Sequence, residues 1–348
     1  MDASGAPLSL ATKCTNVRIP ATIEAVLTRE NVHQTEHVRL HWGVHMQTTI
    51  LAAFLAISTT VVSMCSAGIL LFIVALWAAK TDIAQARGLD KIVALSNLCF
   101  AAPLAVFGAL HLAAARGLAT MVPSYMPWHL FWAYFFGFAL LAASLSIATK
   151  IQVRWSGLLF GIAMFLFVAM MDIPGSVANP KDRFGWILTL REMLFGGGGW
   201  ILAGNAMRAQ GQGQSGSRLI TVGRVIIGIA AIFYGIENSL HTTNVPGVPL
   251  EKLMPAWIPA HLLVGWLTGA ILFVAGVCIL LDKKTRVAAT YLGTWMVLVV
   301  VFIYGPILIA ALSDPSTDVK VEGINYFFDT LLFAGAILAL ASATPSTD

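Results

Sequence analysis

Charge is scarce in this chain. Lysine, arginine, aspartate and glutamate make up 11% of its 348 residues, where a soluble domain carries about 25%. With 58% hydrophobic residues and a mean hydropathy of +0.80, the shortage excludes a soluble globule and makes the lipid bilayer the first partner. The net charge of +4 therefore reports loops and orientation, and no nucleic-acid partner is expected. Cysteine is scarce too: Cys14, Cys65, Cys99 and Cys278 show no C-x-x-C spacing, so neither a disulfide framework nor a thiol relay is expected. The ten-residue alternation of a membrane barrel is missing. So are a glycine-rich phosphate loop and a G-x-S-x-G elbow. Haem would require facing histidines deep in the bilayer, and the histidines of the apolar region fall near helix ends instead.

What is present is a series of apolar runs long enough to cross about 30 Å of hydrocarbon as helices. The spacing predicts an all-α membrane protein of about nine spans. From Met46 to Ala79 there are 34 residues without a charge, giving an N-terminal span at 48–79 after a polar tail at 1–47. Further spans are expected at 92–115, 127–149, 155–173 and 185–206, and then at 219–241, 257–281, 286–312 and 323–343. Pro127 is expected in the first turn of its helix, where its missing N–H would be unpaired anyway. The span at 185–206 is the least apolar. It holds Arg191 and Glu192, followed by four glycines at 196–199 that would let another helix approach its backbone. A flexible Gly/Gln/Ser connector fills 207–217.

The chain repeats itself. Shifted by 132 positions, residues 122–174 align with 254–306 without a gap and are identical at 14 of 53 positions; apolar composition alone would give roughly five. Pro-x-x-x-Pro-x-His recurs as Pro123, Pro127, His129 and Pro255, Pro259, His261. Just upstream His111 falls opposite His241. Residues 92–206 and 218–343 thus read as two four-helix repeats behind one N-terminal span. An even number of spans per repeat makes the duplication parallel. Loops 80–91, 149–154, 207–218 and 282–286 carry ten Lys and Arg, against five in the loops of the other face. That bias predicts a cytoplasmic C-terminus in an inner (plasma) membrane, although four basic residues in the N-terminal tail oppose it.

The candidate chemistry lies in polar residues within or beside the spans. His111 and His241 are expected at helix C-terminal ends, where the dipole favours imidazolium. His129 and His261 are expected in first turns, where it favours the neutral ring. Such pairs suit proton exchange or a hydrogen bond to a quinone-like headgroup; the alternative is an interfacial belt shared with Trp128, Trp257 and Trp266. Glu237 stands one turn before His241, a spacing that allows a hydrogen bond. The first repeat has Phe107 there, so the second repeat is favoured as the working half. Glu192 and Asp329 lie early in the last span of each repeat and need partners, unless they are hydrated at the interface. Arg191 is available to Glu192, whereas Asp329 has no cation beside it in sequence.

In the tail, His33, His37, His41 and His45 recur every four residues, one stripe on a helix over 22–46. Two of them could hold zinc or copper, with Glu36 nearby; the alternatives are a solvated helix, or translation that starts at Met46. No signal peptide is indicated at Met1.

The runs Phe233-Tyr234-Gly235 through His241, Pro246-Gly247-Val248-Pro249-Leu250, Pro255-Ala256-Trp257-Ile258-Pro259 and Leu267-Thr268-Gly269-Ala270 resemble the DoxX-like family of small bacterial membrane proteins. The similarity covers 218–343 and, more faintly, 92–206; nothing in 1–91 takes part. It implies a four-helix module with a proline-rich external loop before its second helix. Some members of the wider group are associated with thiosulfate:quinone oxidation and others with thiol redox work, while most have no assigned activity, so the resemblance implies at most a redox enzyme subunit as partner. The thiol-linked members use a cysteine pair that this chain lacks. Three functions are therefore expected to compete: a quinone-linked redox partner acting near Glu237, His241 and His261, a small-molecule transporter with its site between the repeats, and a membrane scaffold.

Overall fold

The computed structural model describes residues 58–345. The polar tail, the His33–His45 stripe and the Met46 start all lie outside the described residues. Nine long helices follow: α1 Thr59–Gln85, α2 Asp90–Ala113, α3 His129–Thr149, α4 Val153–Ala178, α5 Arg183–Ala209, α6 Gly213–Leu240, α7 His261–Leu280, α8 Thr285–Ser313 and α9 Thr317–Ala343. Eight of them, all but α5, are long and apolar enough to cross a membrane. The protein is a multi-pass membrane protein, and no strand occurs among the described residues.

Burial separates inner helices from outer ones. In the most apolar stretch of α9, 78% of residues are buried inside the protein, and in α2 72%, against 28% in α1, α3, α4 and α8. The exposed side chains of the outer helices are Leu, Ile, Phe and Trp, as on Ile69, Phe72, Phe135 and Phe302, which suits acyl chains as solvent. α5 packs against α4, α6 and α9, and α9 packs against α2, α5 and α8. A helix surrounded by protein needs no lipid-facing apolar stripe, which is why α5 is the least apolar and still central.

The four glycines of α5 serve this position. Successive residues on a helix turn by about 100°, so the four glycines face three neighbours, with Gly196 and Gly199 both against α4. A Cβ at Gly196 would stand 3.0 Å from the Phe165 ring of α4, one at Gly197 3.3 Å from Gly223 O of α6, and one at Gly198 2.5 Å from Ala336 Cβ of α9. Gly198→Val is expected to cost at least about 1–3 kcal/mol by overpacking. The cost should appear as lost detergent-extracted yield and a lower Tm. Gly117→Ala, with nothing within 4 Å of the added Cβ, should leave both unchanged.

Local backbone features recur at the 132-residue shift. Left-handed Trp128, Lys150 and Gln152 correspond to left-handed Ala260, Asp282 and Lys284. A π-helical turn interrupts α4 at Val168–Asp172 and another interrupts α8 at Val300–Tyr304. The left-handed residues also move two helix starts. Pro127 lies outside the helix it was expected to open, because Trp128 (φ 58°) breaks the turn and α3 begins at His129. α7 likewise begins at His261, after Ala260.

The connections before α3 and α7 differ. Between α2 and α3, Met121, Tyr125 and Trp128 are 63%, 68% and 76% exposed. Between α6 and α7, the segment expected as an external loop folds back against the helices as a hairpin. Val245 N–H donates to Lys252 O and Met254 N–H to Thr243 O, both at 2.8 Å, and every residue from Asn244 to Leu250 is buried. The end of the bundle that carries it is called the hairpin face below.

Candidate functional site

The centre of the site is Arg191, about 12 Å along α5 from its first residue at 1.5 Å per residue. Asp182 starts that helix by accepting a hydrogen bond from Phe184 N–H at 3.0 Å. Arg191 Nη2 donates to Glu192 Oε1 at 2.7 Å, and Nη1 donates to Asp329 Oδ2 of α9 at 2.9 Å. Asp329 is 7% exposed. The two carboxylates therefore share one guanidinium, and an interfacial, hydrated Asp329 is replaced by a buried ion pair. Tyr234 of α6 is fully buried beside them; its hydroxyl donates to Ile187 O at 2.8 Å and its ring meets Phe333 edge-on.

Both π turns end at this centre. Asp172 closes the first and lies in electrostatic range of Arg191 and Glu192, and its Oδ2 is buried without a hydrogen-bond partner. Tyr304 closes the second and lies in range of Asp329. Such turns recur at functional sites because the extra residue re-aims the helix and loosens its hydrogen-bond ladder. Arg191 Nε and Asn238 Oδ1 are also buried without partners, and Asn238 is only 1% exposed. Two carboxylates thus share one guanidinium, with a third, Asp172, in electrostatic range of it. Such a centre is suited to taking up a proton or a small cationic group.

A second ion pair lies two turns nearer the hairpin face. Arg183 Nη1 holds Glu237 Oε2 at 3.1 Å, and Nη2 donates to the hairpin carbonyl of Leu250 at 3.0 Å. His241 Nε2 stands 3.7 Å from the same carboxylate oxygen, too far for the hydrogen bond that the spacing allowed. Glu237 takes its cation from α5, just as Asp329 does.

The histidines sit at the helix ends expected of them, and they separate into two kinds. His111, in the last turn of α2, has Nδ1 2.8 Å from Phe107 O and lies in electrostatic range of Glu192. His241 caps α6 beside Glu237. His129 is the half-buried first residue of α3. His261 opens α7, exposed, with Nδ1 2.5 Å from Ile258 O. The contacts bring Glu237 and His241 together but not His261, and they join Glu192 to Asp329.

The hairpin covers this region from one end. Thr330, next to Asp329, donates to Val248 O at 2.9 Å, and Asn244 Nδ2 donates to Leu250 O at 3.0 Å. At the rim Lys252 meets Glu322 of α9 at 2.9 Å, a hydrogen bond that holds its ammonium pKa above the usual range. Tyr326 donates to Glu251. Thr330→Val removes the buried tie and should cost about 1 kcal/mol. Limited proteolysis should then cut the hairpin faster; an unchanged rate would mean that the rim contacts hold it alone.

Asp172, Arg183, Tyr304 and Thr330 were not singled out from sequence. One signal existed, since Asp172 and Tyr304 are aligned by the 132-residue shift and each stands two residues before its proline, Pro174 or Pro306. Compared with protein-family models, curated proteins and solved structures, the chain matches none.

Proposed function

We propose that this chain is a nine-span transporter of the inner (plasma) membrane, with its solute site between two DoxX-like four-helix halves, α2–α5 and α6–α9. The observation that carries the reading is the crossed pairing of charge. Two carboxylates of the second half, Glu237 and Asp329, take their arginines from α5 of the first half. Ionisable groups inside a membrane bundle are costly and mark solute, ion or proton pathways. Sites between repeated halves are where alternating access requires them. The shared left-handed residues and paired π turns support the duplication, and the basic loops support an external hairpin face with the C-terminus cytoplasmic.

The test is flux in vesicles that contain the purified protein and a trapped pH dye, challenged with a panel of organic cations, anions and neutral polar solutes. At least one class should drive a pH change that empty vesicles lack. If none does in either orientation, transport is wrong.

A quinone-linked redox partner is the second reading, favoured by one observation. The His241 side chain is 40% exposed beside the Arg183–Glu237 pair, where a polar headgroup on an apolar tail could dock. Its sign would be a lipophilic cofactor or an oxidoreductase subunit co-purifying in stoichiometric amount.

A further inference from the structure

Arg191 Nε–H and Asp172 Oδ2 stand idle in one site. The guanidinium donates through Nη1 to Asp329 and through Nη2 to Glu192. Its Nε–H, shielded from solvent, meets no acceptor among the described residues. Asp172 Oδ2 is likewise shielded and accepts no hydrogen bond from them, yet its carboxyl lies in electrostatic range of the same guanidinium. A buried donor and a buried acceptor left unpaired are both costly. A guanidinium also holds a carboxylate most firmly through two N–H groups at once.

The segment that carries Asp172 is built to turn. Residues Val168–Asp172 form the π turn of α4, closed by Ile173 N–H on Val168 O, and they pack against α5. Pro174 follows directly, and a proline has no N–H to add to the ladder. Helices bend at π turns and at prolines, and here the two coincide. The rest of α4 is fixed to α5: a Cβ at Gly157 would stand 2.5 Å from Gly199 O, and one at Gly161 2.8 Å from Gly196 O. Asp172 can therefore shift towards Arg191 while their two helices stay together. Asp329 lies on α9, in the other half.

We infer that Asp172 is the alternate partner of Arg191: the guanidinium passes from Asp329 to Asp172, and the exchange uncouples the two halves at their centre. The pair in the structure, Arg191 with Asp329, ties α5 to α9 across the halves. A pair with Asp172 lies wholly within the first half. Glu192, next to Arg191 in the chain, holds the guanidinium in either state. The second half cannot make the same exchange, because its aligned residue is Tyr304. The exchange stands without the transporter reading. That it frees Asp329 for a solute in each cycle rests on that reading.

The experiment is a double-mutant cycle read as Tm on the full-length detergent-purified protein. In the parent, Asp172→Asn removes a carboxylate that holds no cation and faces the like charge of Glu192, so Tm should stay level or rise. In the Asp329→Asn background the guanidinium depends on Asp172, and the same substitution should lower Tm by at least about 3 °C. A side chain that merely fills space gives one sign in both backgrounds. In vesicles, Asp172→Asn should slow solute-driven flux by at least about fivefold with Tm unimpaired; unchanged flux overturns its place in the cycle. The same sign in both backgrounds, or an Asp329→Asn chain that does not fold, overturns the exchange, since Asp172 has then not taken the guanidinium. A double variant that fails to fold where both single variants fold is the reversal in its extreme form. If the sign does not change while the parent transports, the exchange is wrong and the transporter reading survives. If the sign reverses while no solute drives flux in the parent, the transporter reading fails and the exchange stands.

Discussion

Arg191→Met is expected to be the most damaging polar substitution in the chain. It leaves Glu192 and Asp329 buried side by side without a cation, and breaking a buried pair from one side costs about 3–5 kcal/mol because the remaining charge has no solvent. Here two carboxylates lose the same partner, and they lie 2.7 and 2.9 Å from it, so the loss should fall at the upper end. The variant should extract poorly and melt well below the parent. The triple variant with Glu192→Gln and Asp329→Asn should recover most of the lost stability, since neutral amides carry a far smaller desolvation penalty. If Arg191→Met melts like the parent, the guanidinium is not what holds the two carboxylates, and the site as drawn is wrong.

Asp329→Asn separates function from stability in the opposite direction. The substitution removes one of the two carboxylates that share the Arg191 guanidinium, leaves Glu192 paired with it and keeps the size of the side chain, so Tm should stay level or rise. Solute-driven flux in vesicles should fall by at least about tenfold, because the carboxylate that would exchange its charge in each cycle is gone. Glu237→Gln is expected to reduce flux less, as its carboxylate is tied to Arg183 and to the hairpin rather than to the centre. His129→Ala and His261→Ala should leave flux unchanged. Flux retained in Asp329→Asn, with Glu237→Gln abolishing it, would move the working centre to the Glu237–His241 end and revive the second-half expectation drawn from sequence.

The medium around each helix, and hence the architecture, could be read from the amino-acid order. An apolar run of twenty or more residues has one stable form in a bilayer, so eight long apolar helices appear where the runs lie. The left-handed residues and π-helical turns recur at the 132-residue spacing that the sequence identities show, Pro174 and Pro306 among them. Helix-end positions of His111, His129, His241 and His261 followed from the turn prolines and the ends of the runs. The partners of the charged residues could not be read in the same way. Nothing near Asp329 in the chain signals a cation, because its arginine lies 138 residues away. Glu237 has His241 one turn on, yet its closer contact is Arg183, 54 residues away. The proline-rich segment at 246–250 reads as a surface loop by composition and is buried. Periodicity reports whether a helix face meets lipid or protein, but not which protein. Which helices meet is decided by close packing, above all by the four glycines that admit α4, α6 and α9 to the backbone of α5. Only that packing sets one arginine between two carboxylates.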